Sequence, residues 1–100
     1  MIFEIKSNLL KGLAHPIRLQ VIEHLKDRES SVGKLVMALG VRQSSLSRHL
    51  AVLRESGILR ARRDKNTIYY SIHDPDIFKV LRPLAGILRK KLKAALLKKI

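Results

Sequence analysis

Apolar residues recur every three or four positions over most of the chain, and the breaks in that period mark the elements. Ile5, Leu9 and Leu13 stand four apart, one stripe of a first helix. Pro16 opens a second, because proline suits the first helical position, where its missing N–H costs nothing. Ile17, Val21, Ile22 and Leu25 carry that helix to about Asp27. Ser31 is an N-cap for a short helix holding Val32, Leu35, Val36 and Leu39, and Gly40 ends it by accepting the left-handed conformation. A fourth helix follows almost at once on Leu46, Leu50 and Leu53, and Gly57 stops it. The period then changes from 3.6 to 2. Ile58 to Arg63, a turn at Asp64-Lys65-Asn66, and Thr67 to Ile72 read as a β-hairpin, with Ile68, Tyr70 and Ile72 on one face. Asp74-Pro75-Asp76 opens a last helix with a capping oxygen, a proline and an acid at the positive helix end. Lys98 and Lys99 suit its other end. The order is α-α-α-α-β-β-α, a mainly α chain with a small hairpin (α+β).

Two short helices joined by Gly40-Val41-Arg42 have the form of a helix-turn-helix over residues 31–56, whose second helix can lie in a DNA major groove. Its leucines face the core, which leaves Gln43, Ser44, Ser45, Ser47 and Arg48 on the exposed N-terminal half. Gln can read adenine and Arg can read guanine bidentately, while short serines let the backbone approach closely. Amides at the helix start can hold a phosphate. In the hairpin, residues 58–72, Arg60, Arg62, Arg63 and Lys65 crowd a turn whose tip also offers Asn66. A short basic ribbon beside a recognition helix can straddle a phosphate backbone or enter the minor groove. The competing explanation is an edge strand protected by charge against aggregation.

Charge strengthens the DNA reading. The chain has 100 residues, 21 Lys plus Arg against 8 Asp plus Glu, and a formal charge of +13. Residues 1–29 carry net +1, residues 30–73 net +6 and residues 74–100 net +6, so the excess belongs to the middle and the C-terminal end. It points to a polyanionic partner, nucleic acid or an anionic membrane surface. Hydrophobic residues make up 46%, enough for a core and against a disordered tail. The longest run without a formal charge, Asn66 to His73, falls far short of the ~20 residues of a membrane helix. The start, Met1 to Lys6, lacks the apolar core of a signal peptide. The expectation is a single basic domain, 1–100, cytoplasmic and associated with the nucleoid.

Four stretches carry a resemblance: Leu13-Ala14-His15-Pro16-Ile17-Arg18-Leu19, Ser31-Val32-Gly33-Lys34-Leu35, the block from Gln43-Ser44-Ser45-Leu46-Ser47-Arg48-His49-Leu50 to Gly57-Ile58-Leu59, and Tyr69-Tyr70-Ser71-Ile72. From about Leu10 to Leu81 the chain resembles the ArsR family of winged-helix repressors. The resemblance implies a homodimer that binds a pseudo-palindromic operator and blocks transcription until a signal releases it. By position it makes Gln43, Ser44, Ser45, Ser47 and Arg48 groove-facing and Arg62 to Asn66 the wing tip. His49 sits where the family keeps a histidine on this helix, and it joins the expected DNA-binding set. Two departures matter. Arg42 stands where relatives often have a capping serine, a loss of about 1 kcal/mol, although an arginine there can bond a phosphate instead. Lys34 replaces a common acid and adds to the positive face.

The family's metal-sensing sites find no match. There is no cysteine for a thiolate site, and no histidine from Asp76 onward for the site on the last helix. His15, His24, His49 and His73 do not pair at helical spacing, and His73 with Asp74 and Asp76 is explained by a capping turn. No metal, no cofactor and no catalysis are expected: Gly33-Lys34 is not followed by Ser or Thr, and no Gly-x-Ser-x-Gly elbow exists.

On the last helix, residues 75–99, Ile77, Val80, Leu81, Leu84, Ile87, Leu88, Leu92 and Ala95 fall on one face, with Lys79, Arg82, Arg89, Lys90 and Lys93 opposite. Pro83 and Gly86 predict a kink or a weak turn near Arg82. That apolar face exceeds what a small domain covers by itself. It predicts dimerisation through the terminal helices, using Ile5, Leu9, Leu13, Ile77, Val80, Leu81, Leu84 and Leu88. A membrane-surface or protein-interaction module using this basic amphipathic helix is the alternative, its membrane form weakened by the lack of aromatic anchors beyond Phe78. The expected fold is a winged helix-turn-helix, and the expected partners are double-stranded DNA and a second copy. A DNA-coating protein without sequence preference is the nearer rival.

Overall fold

The computed structural model describes residues 1–98 and places five helices around a small antiparallel sheet. In chain order these are α1 (Ile2–Leu13), α2 (Pro16–His24), β1 (Ser30–Ser31), α3 (Val32–Leu39), α4 (Gln43–Glu55), β2 (Leu59–Asp64), β3 (Thr67–Ile72) and α5 (Ile77–Lys98). The expected winged helix-turn-helix is therefore present, with one addition. The two residues of β1 pair with β3, Ser30 opposite Tyr70 and Ser31 opposite Tyr69, so the sheet has three strands in the order β1-β3-β2. Two serines show no period and have little strand propensity of their own, so β1 is made by its partner.

The core is a cluster of apolar side chains drawn from all five helices and the start of the hairpin. Val21, Ile22, Leu35, Leu46, Leu50 and Leu53 are fully buried, and Leu25, Ile58 and Leu59 nearly so. Phe78 joins them, so the last helix docks on an aromatic that its own apolar stripe does not include. Helix ends follow from their residues. Ser31 Oγ accepts a hydrogen bond from the Lys34 amide at 3.2 Å, capping α3, and Gly40 closes it at φ 64°. Gly57, at φ 77°, closes α4. The Ile58 amide donates to the Leu53 carbonyl and the Gly57 amide to the Arg54 carbonyl, a Schellman arrangement that hands the chain to β2.

Several boundaries differ from the pattern reading. Helix α2 stops at His24, short of Asp27. The wing turn is Lys65-Asn66, because Asp64 already pairs with Thr67 in the ladder. Helix α5 starts at Ile77; Asp74 Oδ1 caps the preceding turn by accepting from the Asp76 amide at 2.9 Å. It then runs as one helix through Pro83 and Gly86 to Lys98, so of the kink or weak turn expected near Arg82 no break in the helix is seen. One proline removes a single bond, to the Lys79 carbonyl, and the flanking turns hold. The expected end at Lys99 lies outside the described residues. Among the described residues, no helix is long and apolar enough to cross a membrane. The molecule measures 57 × 37 × 23 Å with a radius of gyration of 15.7 Å, against about 13 Å for a compact chain of this length. The elongation comes from α5, whose apolar residues are exposed beyond Leu81.

Candidate nucleic-acid interface

Helices α3 and α4 are locked by Leu35 against Leu46, Leu50 and Leu53, all without solvent exposure. At 100° per residue this burial turns the opposite side of α4 outward. Gln43, Ser44, Ser47 and Arg48 are exposed there, and Ser45 is half-buried at its margin. Ala51 is also exposed, at the middle of the same face. Alanine carries no polar signature, so the pattern of the sequence did not single it out, yet a small methyl there suits contact with a thymine methyl. Arg42 stands at the N-cap position with extended backbone and makes no side-chain cap bond, so its guanidinium is not engaged with the helix.

His49 does not share this face. Its ring turns toward α2, where Nδ1 accepts from Arg18 Nε at 3.2 Å. His15 lies against it with ring centroids 4.1 Å apart, and the His15 Nδ1 caps α2 by accepting from the Ile17 amide at 3.1 Å. Arg18 also donates to the carbonyls of Lys11 and Gly12, both at 3.1 Å, at the end of α1. His49 is thus corrected from a DNA-binding residue to a joint between α1, α2 and α4. Burial, and then repulsion from His15, Arg18 and Arg48, lowers its pKa.

The wing carries an ion pair of its own. Arg62 forms a two-pronged bond to Glu29, 2.6 Å from Nη2 and 3.3 Å from Nε, and lies 4.7 Å from the Tyr69 ring centre. The guanidinium beside it holds the Glu29 carboxyl below the usual range, and Glu29 in turn raises Arg62. Arg62 therefore fastens the hairpin to the segment before β1 while its side chain stays 52% exposed on the wing. Arg60 is turned to the other end, donating to His73 Nδ1. Arg63, Lys65 and Asn66 remain exposed at the tip. Lys65 is left-handed at φ 57°, which tightens the turn. One open groove is lined by Ser31, Gly33, Gln43, Asn66 and Thr67, so the structure brings the start of α4 and the wing tip to a common surface. Strand β1 causes this, since it ties the start of α3 to β3.

Elsewhere, apolar side chains stand in water. Ile5, Leu9, Val80, Leu84 and Leu88 of the expected dimer set are exposed, and Ile77 and Leu81 are half-buried against the core. Leu13 is corrected: at 5% exposure it belongs to the protomer's own core, because α1 approaches the end of α4 closely at Gly12. A Cβ on Gly12 would lie 2.6 Å from Ser56 Oγ. Phe3, Ile87 and Leu92 extend the exposed apolar surface beyond that set.

Known proteins share this fold. A family model described as bacterial regulatory protein, arsR family, matches residues 15–61. An HTH-type transcriptional regulator of Mycobacterium tuberculosis, Rv0081, is 40% identical over 92 residues, covering 91% of this chain and 81% of that protein. The crystal structure of Rv0081 superposes with a TM-score of 0.82 at 38% identity, over 95% of this chain and 96% of the other. The biofilm growth-associated repressor of Xylella fastidiosa is 41% identical over 81 residues, 81% of this chain and 71% of the repressor. A homodimeric winged helix-turn-helix DNA-binding domain from Mycobacterium bovis matches with a TM-score of 0.79 at 25% identity, over 93% of this chain and 86% of the domain.

Proposed function

The chain belongs to the arsR family of bacterial regulatory proteins and is a sequence-specific DNA-binding transcriptional regulator, and on that premise we propose that it is a homodimeric repressor reading a pseudo-palindromic operator with α4 of each protomer. The exposed, small and polar face of α4 beside the wing tip carries this reading. In it, Gln43, Ser44, Ser47, Ala51 and Arg48 meet base edges, with Ser45 at the margin. Arg42 holds a phosphate at the helix start, and Arg63, Lys65 and Asn66 grip the backbone from the wing. The whole chain acts as one DNA-binding unit, with residues 31–56 as the helix-turn-helix and residues 58–72 as the wing.

Dimerisation follows from the apolar surface of α1 and α5, and the homodimeric Mycobacterium bovis domain supports it. The repressor from Xylella fastidiosa supports the sign of regulation. A regulator of this kind works on the chromosome, in the cytoplasm at the nucleoid, and needs no cofactor and no membrane. Any signal it senses within these residues acts without thiol chemistry, since there is no cysteine.

Selection from a random duplex library tests the proposal. The expected product is an inverted repeat whose half-sites lie about one helical turn, ~34 Å, apart. Recovery of unenriched DNA would instead mean a coating protein without sequence preference.

A further inference from the structure

We propose that the basic face of α5 is a second duplex-DNA surface, through which a protein bound at its operator captures another DNA segment and bridges the two. This rests on the reading that α4 and the wing form the first surface. Helix α5 carries seven Lys and Arg and no acid from Ile77 to Lys98. Five of the seven, Lys79, Arg82, Arg89, Lys90 and Lys93, fall within an arc of about 100° at the helical period. All five are exposed. Among the described residues only Lys79 of this set has a carboxylate partner, Asp76 at 3.2 Å.

A solvated helix face ordinarily interleaves acids with bases, because like charges three or four apart repel. Here Arg89 and Lys93 are four apart and Lys79 and Arg82 three apart, with no acid between. Such a face is stabilised by a polyanion that neutralises it. Residues 79–93 span about 21 Å, a length of duplex that carries about 12 phosphates.

The placement separates this face from the dimer surface and from the core. Helix α5 meets the body through Ile77, Phe78 and Leu81. On the helical wheel Ile77 and Leu81 lie roughly opposite the five cations, and Phe78 flanks them at the first turn, where it is buried. Leu84 and Leu88, which the dimer would cover, share the side of Ile77 and Leu81. The basic face therefore looks away from both. An anionic membrane would need the apolar side of α5 as well, with an aromatic anchor at the interface. The one aromatic on this helix, Phe78, is committed to the core.

The test immobilises the selected operator on beads, saturates it with protein, and adds a labelled duplex of about 30 base pairs and scrambled sequence at about physiological salt. Wild-type protein is expected to retain the labelled duplex. The triple variant Arg89→Gln, Lys90→Gln, Lys93→Gln is expected to lose about tenfold of that capture, with a salt slope smaller by about 3. Its operator affinity should stay within about twofold of wild type, which also reports that it is folded. No capture by wild-type protein, or equal capture by the variant, overturns the inference while leaving the α4 reading intact. Loss of operator binding along with capture overturns the separation of the two surfaces. Capture of anionic phosphatidylglycerol vesicles in place of the duplex, lost in the same variant, makes the face a membrane surface and overturns it as well.

Discussion

Arg48 and His49 are neighbours on α4 with opposite duties, and burial separates them. The leucines at 46, 50 and 53 set the rotation of the helix, so Arg48 reaches outward and His49 inward to Arg18 and His15. Arg48→Ala is expected to weaken binding to the selected operator by about 1–3 kcal/mol, the value of a bidentate base contact. Binding to random DNA should change far less. Equal loss on both duplexes, measured by titration at one salt concentration, would assign Arg48 to phosphate instead. His49 leads to a pH dependence. Its folded pKa lies below the ordinary 6.5, so the unfolded chain binds the extra proton more readily. The stability it contributes is present above about pH 6.5 and disappears as pH falls through the depressed folded value. A His49→Gln variant, with a neutral acceptor for Arg18, should lose less stability than wild type in thermal unfolding between about pH 7 and about pH 5. Identical curves would remove His49 from the acid response.

At the scale of elements, the ends of helices and the sheet decide where the site lies. A Cβ added at Gly57 would meet open space, so Gly57→Ala brings no clash and probes backbone conformation alone. Its φ of 77° is expected to cost alanine about 1–2 kcal/mol, read as a lower midpoint in thermal unfolding. No change would mean that the α4 terminus relaxes freely. In the hairpin, Arg62 is matched by Glu29, whereas Arg63 and Lys65 face solvent at the tip. Neutralising Arg63 and Lys65 together, each to Gln, should weaken binding to all duplexes and reduce the salt slope by about 2. An unchanged slope would place the tip away from the phosphates. Strand β1 matters here out of proportion to its two residues, since it holds the wing beside the helix-turn-helix.

For the whole molecule, the distribution of apolar surface is the governing fact. Leu84 is 44% exposed and Leu88 57%, on a helix that departs from the body. Exposed apolar surface of this extent marks an interface. Leu84→Glu would place a charge in that interface. It is expected to yield monomers in sedimentation, with weaker operator binding because each half-site is then held alone. A persistent dimer would move the interface off α5. The charge of +13 divides along the same lines: roughly half on the middle elements that hold the proposed DNA surface, and half on α5.

Helix positions, the caps at Ser31, Gly40 and Gly57, and the outward set on α4 were legible in the sequence, because periodicity and capping are local properties of neighbouring residues. The family likeness was legible for the same reason, in a run from Gln43 to Leu59. What the tertiary structure alone decided involves residues distant along the chain. Arg62 meets Glu29 across 33 positions and Arg18 meets His49 across 31, so no local pattern reports either pairing. Leu13 and Phe78 entered the core through what α1 and α5 pack against, which no single-helix stripe reveals. Pro83 lies within a continuous helix because the turns on either side outweigh one lost bond. Local chemistry chose the elements; packing between them chose which of their charges and apolar side chains stay available to a partner.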